Sequence, residues 1–403
     1  MNSNLYIYTS NYPFSKTSET FLGPEIVFAR DYFKKVTIIP VNGDSYKRSV
    51  PDGIIVDETL VRRTLWTSLR AIIGLFSKRV LKIDKQSLPA SLSDYIDAIK
   101  YFYAANLVYF DLCKRLINIE GPVVLYSYWL SYPPIAFVWI KEKFEHKKIR
   151  AVARAHGSDI YTTDVGVYYP KRGLVMDKMD AIYPVSSYGM HYLKKKYNGL
   201  TPITVSRLGV FDNHSSTTKQ EGFIYLVSCA SVIPLKRVDL LFRSLNNFAA
   251  DHSDVNIDWT HYGGGPLFEV IQEISSSHQT NLKIHLVGTV SNSEILKVYR
   301  ERFFDCYLLV SESEGIPVSI MEALASGIPV ISTNVGGVSE IVNSETGCLL
   351  NKNFSQEEFN EALNRVVNTP SLRESSYSFF KNNYEAGLNY KDFYRQISRL
   401  VQD

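Results

Sequence analysis

The 403-residue chain reads as an α/β protein made of two doubly wound, Rossmann-like domains. Two observations carry that expectation. Short β-rich runs alternate with longer stretches of helical periodicity, the pattern of βαβ units around a parallel sheet. The scheme then starts over in the second half of a chain longer than one hydrophobic core usually organises.

In the first half the expected strands are residues 5–10, 36–41, 123–128, 149–155 and 181–186. In the second half they are 223–231, 256–263, 282–288, 305–311 and 329–333. Between the two sets, LGVFDNHSSTTKQEG (208–222) concentrates turn-forming residues with little to bury and marks the linker. The expected domains are therefore 1–207 and 208–371, followed by an aromatic-rich helical segment, 372–403. Two such sheets would face a central cleft, with ligands beyond the carboxyl ends of the strands where loops lead into helix N-termini.

Composition narrows the function classes. With 45% hydrophobic and 21% charged residues the chain is an ordinary globular protein, and a net charge of +3 is too mild for a nucleic-acid partner. Cys113, Cys229, Cys306 and Cys348 form no CxxC pair, which fits reduced thiols and neither a disulfide framework nor a metal site. No apolar run reaches the roughly 18 residues of a spanning helix, and the amino terminus has no signal-type pattern, so a cytoplasmic protein is expected.

Three strand-end loops of the second half carry unusual chemistry. After the first strand, SVIPLKRVDLL places Ser231, Pro234, Lys236 and Arg237 before a helix. A cation in a first helical turn is disfavoured by the helix dipole unless an anion lies nearby, so Lys236 and Arg237 point to a phosphate. In HYGGGPLFEVI, Gly263, Gly264 and Gly265 let backbone approach either a ligand or the protein itself. In SESEGIPVSIMEALASG, Glu314 stands in a loop and Glu322 in the helix that follows. As a pair they could grip a sugar hydroxyl and a ribose diol. STNVGGVSEIV then repeats strand, double glycine and helix start, bringing Gly336 and Gly337 toward the same place.

The E-x7-E pair Glu314/Glu322, the stretch EGIPVSIMEALASGIPVISTNVGG, the P-x-K loop and YGGGPL together resemble the retaining GT-B glycosyltransferases of family 4. That resemblance implies a GT-B fold and a nucleoside-diphosphate sugar as substrate, with no cofactor and no metal. It implies that Glu322 holds the ribose, that Glu314, Gly315, Ile316, Pro317 and Val318 hold the donor sugar, and that Lys236 neutralises the diphosphate. The family's Arg position falls on Ser231, leaving Arg237 as the residue that could supply the missing charge. VARAHGSDIY resembles the family's His-Gly motif, which puts His156 at the reaction centre. The amino-terminal SNYPFSKTSETFL is similar to an S-E-T-F variant found in polysaccharide-assembly enzymes; Ser18, Glu19 and Thr20, with Asp159, become acceptor-side candidates.

The implied activity is retaining transfer of a sugar to a glycan hydroxyl in surface-polysaccharide assembly, by front-face displacement. The resemblance also implies that 372–403 crosses back to the first domain. A non-catalytic GT-B-like scaffold partner, suggested by Ser231, and a nucleotide-sugar epimerase or hydrolase stay open as alternatives. Finally, residues 60–85 hold seven Lys/Arg against one acid, interleaved with Leu, Ile, Trp and Phe. Such a segment can be a core helix with solvated cations, or it can lie on the inner face of a membrane, which would suit a lipid-linked acceptor.

Overall fold

A computed structural model describes residues 3–15, 18–82, 89, 91–161 and 168–402. The chain divides into two compact units, 1–207 with 389–403, and 208–388.

The first unit holds β1 (Asn4–Thr9), β2 (Lys35–Pro40), β3 (Ile54–Val56), β4 (Val123–Ser127), β5 (Ile149–Ala155) and β6 (Ala181–Pro184). All pair in parallel in the order β3-β2-β1-β4-β5-β6. The second unit holds β7 (Ile224–Cys229), β8 (Ile257–Tyr262), β9 (Leu282–Gly288), β10 (Cys306–Leu309), β11 (Val330–Thr333) and β12 (Gly347–Leu350). Its order, β12-β11-β10-β7-β8-β9, repeats the first. The edge strands β3 and β12 are short and escaped the sequence pattern.

Apolar strands follow from this architecture. In β1, Tyr6 and Tyr8 pack into one core while Leu5 and Ile7 pack into another on the opposite face, so no side of the strand is free to be polar. Helices start where the sequence offers caps: Ser91 and Asp94 form a capping box for Leu92–Leu116, and Ser291 and Glu294 one for Asn292–Glu301.

Residues 208–222 belong wholly to the second unit and are anchored there. Asn213 donates its amide to the carbonyl of Leu296 and the hydroxyl of Ser326, both at 2.8 Å. The return to the first unit starts at Asn389, later than the expected 372. Helix Leu372–Asn383 stays with the second unit because Leu372, Ser376 and Phe380 are buried there and Arg373 donates to the carbonyl of Phe304 at 2.6 Å. Phe393, Tyr394 and Ile397 then enter the first unit's core, where the Arg154 guanidinium lies 4.1 Å from the Phe393 ring centre. Arg154 is fully buried and pairs with the equally buried Glu25 at 3.0 Å. Residues 83–85 of the basic segment 60–85 lie outside the described residues.

Candidate functional site

In a sheet of this order the connections diverge between the first and fourth strands, and the crevice at their carboxyl ends is where such folds bind ligands. In the second unit that point lies between β7 and β10. The loops leaving these two strands are joined by a hydrogen bond from the Glu312 N–H to the Leu235 carbonyl, 2.8 Å. Lys236 closes the single turn Pro234–Lys236, and its Nζ pairs with Glu314 Oε1 at 2.5 Å. Two residues far apart in sequence thus form one charged pair at the switch point.

Glu322 sits in helix Val318–Ala325, whose start at Pro317 carries no side-chain cap. Its side chain is only 8% exposed, and Oε1 accepts a 2.7 Å hydrogen bond from the Asn292 amide. Burial pushes its pKa up to about 7, against the pull of Asn292. Ile316 and Pro317 are buried, while Gly315 and Val318 are half-buried. Asn292 was not singled out from the sequence; the one available signal was the Ser291/Glu294 capping box immediately around it.

The double glycine holds the acid loop in place. Gly336 adopts φ 56°, and a Cβ there would lie 1.8 Å from the Glu314 carbonyl. The Gly337 N–H donates to the Gly315 carbonyl at 2.9 Å, and Thr333 Oγ1 donates to the Ser311 carbonyl at 2.6 Å. Glu314 is therefore positioned by backbone packing.

Other sequence candidates have structural duties. Arg237, in the left-handed conformation at φ 48°, donates Nε to Val310, Nη1 to Lys352 and Nη2 to Ser311, all carbonyls, at 2.7, 2.9 and 3.2 Å. Its guanidinium ties strand-end loops together, while Ser231 is exposed. A Cβ at Gly263 would lie 1.8 Å from the Ala230 carbonyl, one at Gly264 2.6 Å from Thr289 Oγ1, and one at Gly265 2.5 Å from the Val232 carbonyl. The protein's own chain is what these glycines admit.

In the first unit, Glu19 is buried with φ 54° and turns into the loop after β1. Its carboxylate accepts from the N–H groups of Ser10, Asn11 and Tyr12 and from Trp129 Nε1, at 2.6 to 2.8 Å. All four bonds organise the protein, so Glu19 holds this loop together. Half-buried Ser18 takes Arg48 Nη1 on its carbonyl at 3.0 Å, and Thr20 is also half-buried. Asp159 likewise serves backbone: its oxygens accept from the N–H groups of His156 at 2.6 Å and Leu130 at 2.7 Å. Burial lifts its pKa to about 6.

His156 differs from these. Its ring is buried among Trp129, Tyr128 and Phe21, with ring centres 4.5, 5.0 and 5.5 Å away, and neither ring nitrogen has a hydrogen-bond partner among the described residues. Burial first, and then the Arg154 charge, hold its pKa down to about 3. It is a neutral imidazole with donor and acceptor both unspent.

Residues 210–383 match the family model described as Glycosyl transferases group 1. The chain is similar to the phosphatidylinositol N-acetylglucosaminyltransferase GPI3 subunit of Saccharomyces cerevisiae, 25% identical over 42% of this chain and 36% of that one. A Salmonella typhimurium chain, WcaL, named for colanic acid biosynthesis as a glycosyltransferase, is 28% identical over 50% of this chain and 51% of its own length. The match thus spans about half or less of the length of these relatives. Among solved structures, the apo lipopolysaccharide outer core galactosyltransferase WaaB superposes with a TM-score of 0.69 at 15% identity, covering 100% of both chains. The fold is GT-B, and the stretch that matches the Glycosyl transferases group 1 model, residues 210–383, lies within its second unit.

Proposed function

We propose that the chain is a retaining glycosyltransferase of the family 4 type, working in surface-polysaccharide biosynthesis in the cytoplasm. It would move a sugar from a nucleoside diphosphate to a glycan hydroxyl, the acceptor being carried on a lipid. The single observation that carries this is the Lys236–Glu314 pair where the loops leaving β7 and β10 meet, followed directly by the helix that bears Glu322.

In this proposal Glu322, with one oxygen on Asn292, turns the other to the ribose diol. Lys236 exchanges its bond to Glu314 for the diphosphate, and Glu314 passes to a hydroxyl of the donor sugar. Retention follows front-face displacement: the acceptor oxygen bonds to the anomeric carbon while the bond from that carbon to the phosphate oxygen breaks. The acceptor proton passes to the departing phosphate. Growing charge falls on Lys236 and backbone N–H groups, and no metal is assigned a role. His156, neutral at every working pH, serves substrate as a hydrogen-bonding group.

A second reading, a non-catalytic GT-B-like scaffold partner, is favoured by one observation: Ser231 supplies no cation and Arg237 donates to three carbonyls. Incubation with a nucleotide sugar and a lipid-linked glycan separates the two. Transfer with an unchanged anomeric configuration in the product supports the enzyme. Failure to bind any nucleotide sugar supports the scaffold partner, and acceptor-independent donor hydrolysis the hydrolase.

A further inference from the structure

Helix Leu65–Ile73 is amphipathic the wrong way round for a soluble domain. Its buried side is made of small groups: Ala71 is its buried residue, and its carbonyl accepts from Asn106 Nδ2 at 3.2 Å. The following Gly74 lies so close that a Cβ would stand 2.7 Å from the same Asn106 side chain. The apolar stripe Leu65, Leu69, Ile72, Ile73 and, beyond the helix, Phe76 faces solvent, with Leu65 89%, Phe76 76% and neighbouring Trp66 74% exposed. A surface helix normally buries such a stripe.

The helix it packs on repeats the anomaly. In Leu92–Leu116 the second half supplies the core residues Ala105, Leu112 and Leu116, whereas Leu92, Tyr95, Ile96 and Ile99, at i, i+3, i+4 and i+7, are all exposed. Around these stripes the charge has one dominant sign. Arg70, Lys78 and Lys82 are exposed, Arg62 is exposed while paired with Glu58 at 2.7 Å, and residues 60–82 contain no acid. Asp94 and Asp97 on the second helix are engaged, by the Ser91 capping box and by Lys100 at 3.7 Å.

We propose that these two helices form a docking face for an anionic lipid bilayer, the exposed Leu, Ile, Trp and Phe side chains entering the acyl boundary and the cations meeting headgroup phosphates. Charge complementarity selects this occupant. A second copy of the chain would bring the same cations against one another, whereas a bilayer of anionic lipid satisfies them together with the apolar stripe. Trp66 and Tyr95 combine an apolar ring with a polar atom, the chemistry favoured at the headgroup level. The inference deepens the lipid-linked acceptor of the proposed function by naming the surface that brings the chain to it.

The test is co-sedimentation of the full chain with phosphatidylglycerol/phosphatidylcholine vesicles and with phosphatidylcholine alone, with no substrate present. Binding to the anionic vesicles, weak binding to the neutral ones, and a loss of tenfold or more in Leu65→Ser/Trp66→Ser/Phe76→Ser supports the proposal. Arg70→Glu/Lys78→Glu should cost at least the roughly fivefold per cation expected near an anionic surface. All these side chains are exposed, so the variants keep the fold, checked by their melting temperature. Failure of the wild type to bind anionic vesicles, or equal binding by the variants, overturns the proposal. A self-association lost in Trp66→Ser would assign the face to a second copy and overturn it equally. None of these outcomes depends on nucleotide binding, so the fate of the transferase proposal is read separately.

Discussion

Asn292 donates its side-chain amide to Oε1 of Glu322 across 2.7 Å, in a setting where burial raises the carboxyl to about 7. Half of the carboxyl's hydrogen-bonding edge is thereby fixed by protein, and its ionisation falls in the physiological range. If the carboxylate is the form that receives a ribose diol, nucleotide-sugar affinity should be about tenfold weaker at pH 6 than at pH 8. Asn292→Ala removes the group that favours ionisation, so the midpoint of that profile should move to higher pH. Calorimetric titration across pH checks both; a flat profile in the wild type would remove Glu322 from the binding role.

The same carboxyl affects stability. Its folded pKa lies above the ordinary 4.5, so its contribution is fully present below 4.5 and is lost as pH rises through about 7. Glu322→Gln should therefore be more stable than the wild type at pH 8, by up to about 3 kcal/mol, with the gap closing toward acid. Denaturant titration at both ends of this range reads the sign.

Lys236 is the cation paired with Glu314 at the switch point. Lys236→Ala should lower kcat/KM by about 100-fold and weaken a nucleoside diphosphate while leaving the bare nucleoside unchanged. Glu314→Ala should act chiefly on turnover. Equal losses for nucleoside and diphosphate in Lys236→Ala would show that the pair with Glu314 only holds the loop.

Arg237 is expected to behave oppositely. Arg237→Ala removes three hydrogen bonds from a charged donor and should cost about 2 to 4 kcal/mol of stability. Nucleotide affinity of the folded protein should not change. A large affinity loss with little change in melting temperature would return Arg237 to the diphosphate.

Gly336→Ala puts a Cβ 1.8 Å from the Glu314 carbonyl and forces a left-handed φ on alanine. It should destabilise by about 2 kcal/mol or more and displace Glu314, so that turnover falls further than the folded fraction does. Thermal melts alongside activity per folded molecule distinguish the two effects.

The sequence made the architecture legible because parallel strands covered on both faces read as near-continuous apolar runs. Tyr6 and Ile7 are both core residues although they point to opposite sides of β1. The short edge strands β3 and β12 were missed because three or four residues do not make a pattern. Glu314, Glu322 and Lys236 could be found because acids and a cation beside helix starts stand out against helix electrostatics. The packing of Arg237, Glu19, Asp159 and the glycine run was not legible for a common reason: most of their partners are backbone groups, and backbone has no sequence signature. Asn292 was hidden because its importance depends on one contact across 30 positions.

The central claim is that the second unit binds a nucleoside-diphosphate sugar through Lys236 and Glu322. The most direct measurement is calorimetric binding of UDP-, GDP-, ADP- and dTDP-sugars to the wild type, Lys236→Ala and Glu322→Ala, each shown to be folded. The account predicts that one base is preferred by the wild type and that each variant weakens that donor by tenfold or more. No binding of any donor by the folded wild type, or equal affinity in all three proteins, would contradict it.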